Sequence, residues 1–255
     1  MATTTNHVKN ERALRDDSSS SEYAGAPNDG GAQFGNRNIT PGGHPLDQSQ
    51  PAFPVYHRKF ANPAPLGLCA FGLTTFMLSL INLSTRGVTV PNIVVGPALF
   101  YGGLGQLLAG MWEFAVGNTF GATAFTSYGA FWLSFAFIIS PWSSIAAAYG
   151  NDEAMFGNAL AFFLFGWFIF TTIMTIASIR SSIALFMVFF TVDMTFLLLA
   201  ISELGIGNSA IIHKAGGGFG IVAAFLAWYV AAANLITPST AFFSVPVGDL
   251  TRRKD

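Results

Sequence analysis

The sequence predicts an all-α integral membrane protein with six transmembrane helices, and three observations lead there. Apolar residues make up 52% of the 255 residues and charged residues only 10%, against about 25% charged in an average soluble domain. Charge is also confined to the ends: residues 1–59 hold 12 of the 25 Asp, Glu, Lys and Arg, residues 249–255 hold 5, and the 189 residues between hold 8. That middle divides into six apolar stretches near 65–83, 93–112, 119–140, 156–179, 183–202 and 216–237. Each is close to the about 20 residues a helix needs to cross hydrocarbon.

The elements follow in chain order. Residues 1–59 are rich in Ser, Asn, Asp, Gly and Pro and read as a disordered cytoplasmic tail. Within it Ser18 to Ser21, set among acids, are candidate phosphoryl acceptors on what is otherwise a solvated spacer. The first span opens on ANPAPLGL. Asn62 suits an N-cap and Pro63 the first helical position, where its missing N–H costs nothing. Pro65 stiffens the start and Gly67 admits a close neighbour. A helix beginning there presents free amide N–H groups and a positive dipole end to an anion, or simply caps at the membrane surface.

On the second span Gln106 and Glu113 are seven residues apart and share a face with Gly102, Ala109 and Gly110. Such a small, polar face reads as the wall of a pore or cavity, with a hydrated interfacial acid as the alternative for Glu113. One face of the first span carries Gly67, Phe71, Thr74, Thr75, Leu78 and Asn82, and one face of the third carries Gly121, Ala124, Phe125, Tyr128 and Trp132. These are core faces or an apolar constriction that excludes water. Asp193 lies mid-span in the fifth, among Phe186, Phe189, Phe190, Phe196 and Leu197, as a proton-linked carboxyl or an interhelical hydrogen bonder. The pairs Gly117/Gly121, Gly105/Ala109 and Gly216/Gly220 have the spacing of close helix contacts. Residues 60–239 thus form the transmembrane domain, and 240–255 a C-terminal cytoplasmic tail.

Orientation follows from Lys and Arg near the span ends. Arg58, Lys59, Arg180, Arg252, Arg253 and Lys254 fall on one side, Arg86 and Lys214 on the other, so both termini are expected in the cytoplasm. A net charge of −1 gives no basic field for nucleic acid. The single cysteine, Cys69, excludes an intramolecular disulfide and a multi-cysteine metal site. Of the four histidines, His7, His44 and His57 belong to the tail, and His213 is expected in an outer loop beside Lys214. No nucleophile, metal cluster or phosphate loop points to an enzyme, a metal or a cofactor. The sequon at Asn82 abuts the span and is expected to stay unmodified.

ANPAPLGL at 61–68, FYGG followed by Gln, AG and WE over 100–113, GNTFGATAFTSYGAFW at 117–132 and NSAIIHKAG at 208–216 together resemble the acetate uptake transporter family. That family includes bacterial succinate–acetate permeases and fungal acetate and ammonia transport proteins, and the long polar tail resembles its fungal branch. The resemblance implies a plasma-membrane homohexamer in which each subunit has its own path for acetate and other short monocarboxylates, moved with protons, or for ammonia. It implies a constriction at Phe71, Tyr128 and Val192, where many relatives have leucine at the last position. It ties Asn62, Pro63, Pro65 and Gly67 to transport, and Gln106 and Glu113 to a second signature. It assigns nothing to Asp193, which stays with Glu113 as a possible proton relay read from the residues alone. A membrane sensor of acid stress is the reading without transport.

Overall fold

The computed structural model describes residues 60–250. The tail expected over 1–59, with Ser18 to Ser21, and the last five residues lie outside the described residues. Six helices are long and apolar enough to cross a membrane, and among the described residues there is no strand. They are α1 (Ala64–Asn82), α2 (Pro91–Ala115), α3 (Thr119–Ile139), α4 (Glu153–Ser178), α5 (Ile183–Glu203) and α6 (Ser209–Leu235). Four start on a side-chain cap that accepts the amide three residues on: Asn118 from Gly121, Asp152 from Met155, Ser182 from Leu185 and Asn208 from Ile211. Each cap satisfies a donor that the helix cannot pair internally.

The cap at Asn208 changes the reading of the last span. Here α6 begins at Ser209, seven residues before the expected 216, so His213 and Lys214 stand on helix and not in a loop. The polar letters of NSAIIHK obscured a helix start that the Asn-Ser cap signal announces. At its other end α6 is joined to the segment expected as the C-terminal tail. Ile183 and Ala184 donate their amides to the Gly248 and Val247 carbonyls at 2.8 and 3.1 Å, and Leu250 donates to Ser181 at 3.0 Å. The Tyr229 hydroxyl bonds the Pro246 carbonyl. The chain therefore folds back as far as Leu250 and covers the unpaired amides at the start of α5.

Helix neighbours run α4, α5, α6, α1, α2, α3 by backbone proximity. The ring closes through aromatic side chains. Phe131 of α3 meets Phe163 and Trp167 of α4 and Phe196 of α5 at ring centroid distances of 5.7, 5.3 and 5.0 Å. Because long aromatics, not close backbones, bridge α3 to α4 and α5, space remains between α1, α3 and α5.

Elsewhere backbones touch. Within α2 the residues Phe100–Gly105 form a π-helical stretch, a wider turn that recurs at functional sites. Gly103 lies in it against Leu133, and Gly110 lies further on against Thr126. From α3, Gly129 faces Leu107 and Gly103, where a Cβ would stand 2.7 Å from the Leu107 nitrogen and 2.9 Å from the Gly103 oxygen. Of the expected small-residue pairs, Gly216/Gly220 does pack, on Leu199 and Ser79. Gly117 instead sits in a loop at φ 80°, and Gly105 meets only its own turn. The close crossing uses Gly103, Gly110 and Gly129, whose spacing across two helices a search within one helix does not detect. Gly129→Ala is expected to cost about 1–3 kcal/mol through backbone displacement, read as a lower midpoint in thermal unfolding of the detergent-purified protein.

Candidate functional site

Two cavities lie end to end in the space between α1, α3 and α5. The upper, about 460 Å³, opens toward the α5–α6 turn and is lined by Thr75, Phe131, Trp132, Glu203, His213 and Lys214 among others. The lower, about 220 Å³, includes Leu68, Gln106, Asn118, Tyr128, Phe189 and Asn234 in its wall. Phe71 and Val192 are the two residues that line both. Phe71 is 7% and Val192 5% exposed, so the cavities are separated by two packed apolar side chains. The Tyr128 ring stands 6.1 Å from Phe71, and its hydroxyl donates to Thr171 Oγ1 at 3.0 Å. That bond spends the hydroxyl hydrogen on α4 and turns the ring, not a donor, toward the path.

Each cavity has polar atoms that no protein group satisfies. Thr75 Oγ1 and Trp132 Nε1 in the upper cavity, and Gln106 Oε1 in the lower, are buried without a hydrogen-bond partner. An indole N–H only donates. Buried polar atoms are normally paired, so these three, each on a residue that lines a cavity, stand out. Of the face of α2 expected to wall a pore or cavity, Gln106, Ala109, Gly110 and Glu113 are all buried; Gln106 lines the lower cavity, while Gly110 packs on Thr126. Glu113 is 1% exposed and is not a freely hydrated acid. Its Oε2 accepts from Asn118 Nδ2 at 2.7 Å, while Oε1 has no partner. Gly121 gives it room, since a Cβ there would stand 2.9 Å from the carboxyl carbon.

A third space, about 540 Å³ and open, is lined by Phe60, Asn62, Pro63, Glu113 and Asn118. Asn118 also lines the lower cavity, so the sequence-derived Asn62 and Glu113 sit beyond it at the lower mouth.

The start of α1 departs from expectation. Pro63 is the cap position, one residue later than Asn62, and its carbonyl accepts the Leu66 and Gly67 amides at 3.1 and 3.3 Å. Asn62 Oδ1 accepts from the Ala64 amide at 3.0 Å. Pro65 has no N–H to give. Every donor in the first four helical positions is thus used or absent, and the free amides expected to meet an anion do not exist. Asn62 instead donates from Nδ2 to Asn234 Oδ1 at 3.0 Å, and Asn234 donates to the Val230 carbonyl at 2.8 Å. The motif ties the start of α1 to the end of α6. Gly67 lies where a Cβ would meet the Phe125 ring at 2.7 Å.

Asp193 is 6% exposed, and its Oδ1 and Oδ2 lie 3.0 and 3.3 Å from Thr172 Oγ1 of α4, whose single hydrogen also has the Phe168 carbonyl within reach at 3.0 Å. Asp193 does not line these three cavities. His213 is the residue most displaced from expectation. Its Nδ1 lies 3.1 Å from Ser202 Oγ and 3.9 Å from Glu203 Oε1.

A family model described as the GPR1/FUN34/yaaH family matches residues 46–252. The chain belongs to the GPR1/FUN34/yaaH family. Within it, the chain is 54% identical over 202 residues to acetate permease A of Emericella nidulans, covering 76% of this chain and 67% of that one. It is 48% identical over 192 residues to ammonia transport outward protein 2 of Saccharomyces cerevisiae, covering 75% and 67%. It is 38% identical over 191 residues to the succinate-acetate/proton symporter SatP of Escherichia coli K12, covering 75% and 97%. The solved structure of the bacterial acetate channel SatP superposes with a TM-score of 0.64 at 37% identity, over 74% of this chain and all of that one. The GPR1/FUN34/yaaH fold therefore spans the whole helical domain. The aligned part amounts to about two thirds of each fungal relative's own length.

Proposed function

We propose that the protein moves acetate and other short monocarboxylates across the plasma membrane, coupled to protons, along a path within each subunit of a homohexamer with both termini cytoplasmic. The carrying observation is the pair of cavities that meet at Phe71 and Val192. In this reading the upper cavity faces outward, the two side chains and the Tyr128 ring form the constriction, and Asn62 and Glu113 stand at the inner mouth. A small acid finds donors at Thr75 and Trp132 above the constriction, while larger or hydrated ions are rejected at the apolar ring. Gln106 below it orients the solute as it leaves.

Acetate is taken first as cargo because the two orphan upper groups include a donor-only indole, which suits a carboxyl oxygen. Paired flux assays in vesicles test the choice. Acetate influx exceeding ammonia efflux at equal gradients is expected; the reverse order makes the protein an ammonia exporter. Val192 bears on substrate size. Val192→Leu adds a methylene at the aperture and is expected to lower uptake of three-carbon acids relative to acetate by about tenfold, read in competitive uptake.

A further inference from the structure

The upper cavity holds charged groups that the path described so far does not use. His213 stands on the second turn of α6, its ring fixed from one side. The single hydroxyl hydrogen of Ser202 goes to the Leu199 carbonyl at 2.7 Å, so toward His213 Nδ1, 3.1 Å away, Ser202 Oγ only accepts. That arrangement fits the tautomer with the ring hydrogen on Nδ1, in which Nε2 is the atom that gains and loses a proton. Nε2 makes no hydrogen bond within the described residues. Glu203 Oε1, at 3.9 Å from Nδ1, is too far for a hydrogen bond.

The titratable groups lining this cavity are Glu203 from α5 and His213 and Lys214 from α6. What faces them from the other elements is uncharged: Thr75 and Asn82 of α1, Thr89 of the α1–α2 connection, Trp132 of α3 and Phe156 of α4. Below lie Phe71 and Val192. An ionised carboxylate entering that apolar aperture sheds its hydration with no charge to replace it, a penalty that the neutral acid avoids. The proton must join the carboxylate above the aperture, where His213 is the one imidazole lining the cavity and its Nε2 has no hydrogen-bond partner among the described residues.

We propose that His213 is the proton donor of the upper cavity, protonating at Nε2 a carboxylate gathered there by Lys214. This rests on the transport reading above. In the step the Nε2–H bond of the imidazolium breaks and an O–H bond forms on the carboxylate, leaving neutral imidazole and neutral acid. No electrons are exchanged, and water at the open mouth returns the proton to Nε2. Ser202 and Glu203 act through the ring as positioning residues.

The test is the pH profile of labelled acetate uptake, above empty liposomes, into proteoliposomes of the wild type, His213→Gln and Lys214→Gln. Without the donor, uptake tracks the undissociated acid in solution, which falls about tenfold per pH unit above the carboxyl pKa. His213→Gln is expected to show that steep fall between pH 5.5 and 7.5, and the wild type a much shallower one. Lys214→Gln is expected to raise KM several-fold with little change in maximal rate, and Lys214→Arg to restore it. Identical profiles in wild type and His213→Gln overturn the assignment. A second readout is independent of flux. Acetate binding to the purified protein, measured by calorimetry in buffers of different ionisation heat, is expected to be accompanied by proton transfer in the wild type and not in His213→Gln. The same proton count in both overturns the role of His213 whether or not the protein transports. A difference between them in a protein that carries no acetate leaves the site standing and removes the transport reading.

Discussion

Phe71→Ala is expected to join the upper and lower cavities into one continuous space and to raise uptake of lactate relative to acetate by about tenfold or more. Phe71 and Val192 are the two side chains common to both cavities. Removing the ring leaves Val192, too short to fill the gap, against Tyr128, whose hydroxyl is held on α4 by Thr171. In a packed core Phe→Ala costs about 3–5 kcal/mol, but this ring already faces cavity on two sides, so the loss should fall at the low end and the protein should remain folded. Competitive uptake of labelled lactate and acetate by protein eluting as a single species reads the effect. An unchanged ratio would remove Phe71 from the constriction.

The second large effect concerns Asn62. Its amide satisfies the Ala64 N–H and grips Asn234, so Asn62→Ala is expected to release two hydrogen bonds, each worth about 1 kcal/mol, and to separate α1 from α6 at the lower mouth. Acetate uptake should drop sharply. The account further expects Asn234→Ala to reproduce much of that loss, and the double variant to be less impaired than the two single losses combined. Non-additivity of that kind marks residues acting through one contact. A carboxylate ligand at Asn62 predicts otherwise: Asn234→Ala would leave uptake intact.

The contrast between these residues shows what the sequence makes legible. Phe71, Tyr128 and Val192 come from three distant segments, and periodicity alone leaves them as core or constriction. The family resemblance groups them, and the fold brings them to one level because α3 reaches α4 and α5 through aromatic side chains. The polar face of α2 is readable because Gln106 and Glu113 share one regular helical stretch, the residues after the π turn. The anion-binding helix end fails for a reason already contained in ANPAPLG: two prolines and one Asn cap leave nothing to donate, once carbonyl partners are counted with the amides.

The upper cluster is less legible. Glu203 and His213 are ten residues apart across a turn, and the pairing becomes visible only once α6 is started at Ser209 from the Asn208 cap. Asp193 illustrates the opposite case. A lone mid-span acid attracts a proton-relay reading from sequence, and the fold adds one contact to it, the Thr172 hydroxyl on the neighbouring helix. The orphan donors Thr75 and Trp132 lie on the faces identified from periodicity, but that they lack partners is a property of packing and has no sequence signal.

Labelled acetate uptake into proteoliposomes containing only this protein, with an inward proton gradient, tests the central claim most directly when run beside Val192→Trp. The account predicts gradient-stimulated uptake by the wild type above empty liposomes and its loss in the folded variant, whose indole plugs the aperture between the cavities. Equal uptake in both would mean that solute does not pass between Phe71 and Val192, and would contradict the account.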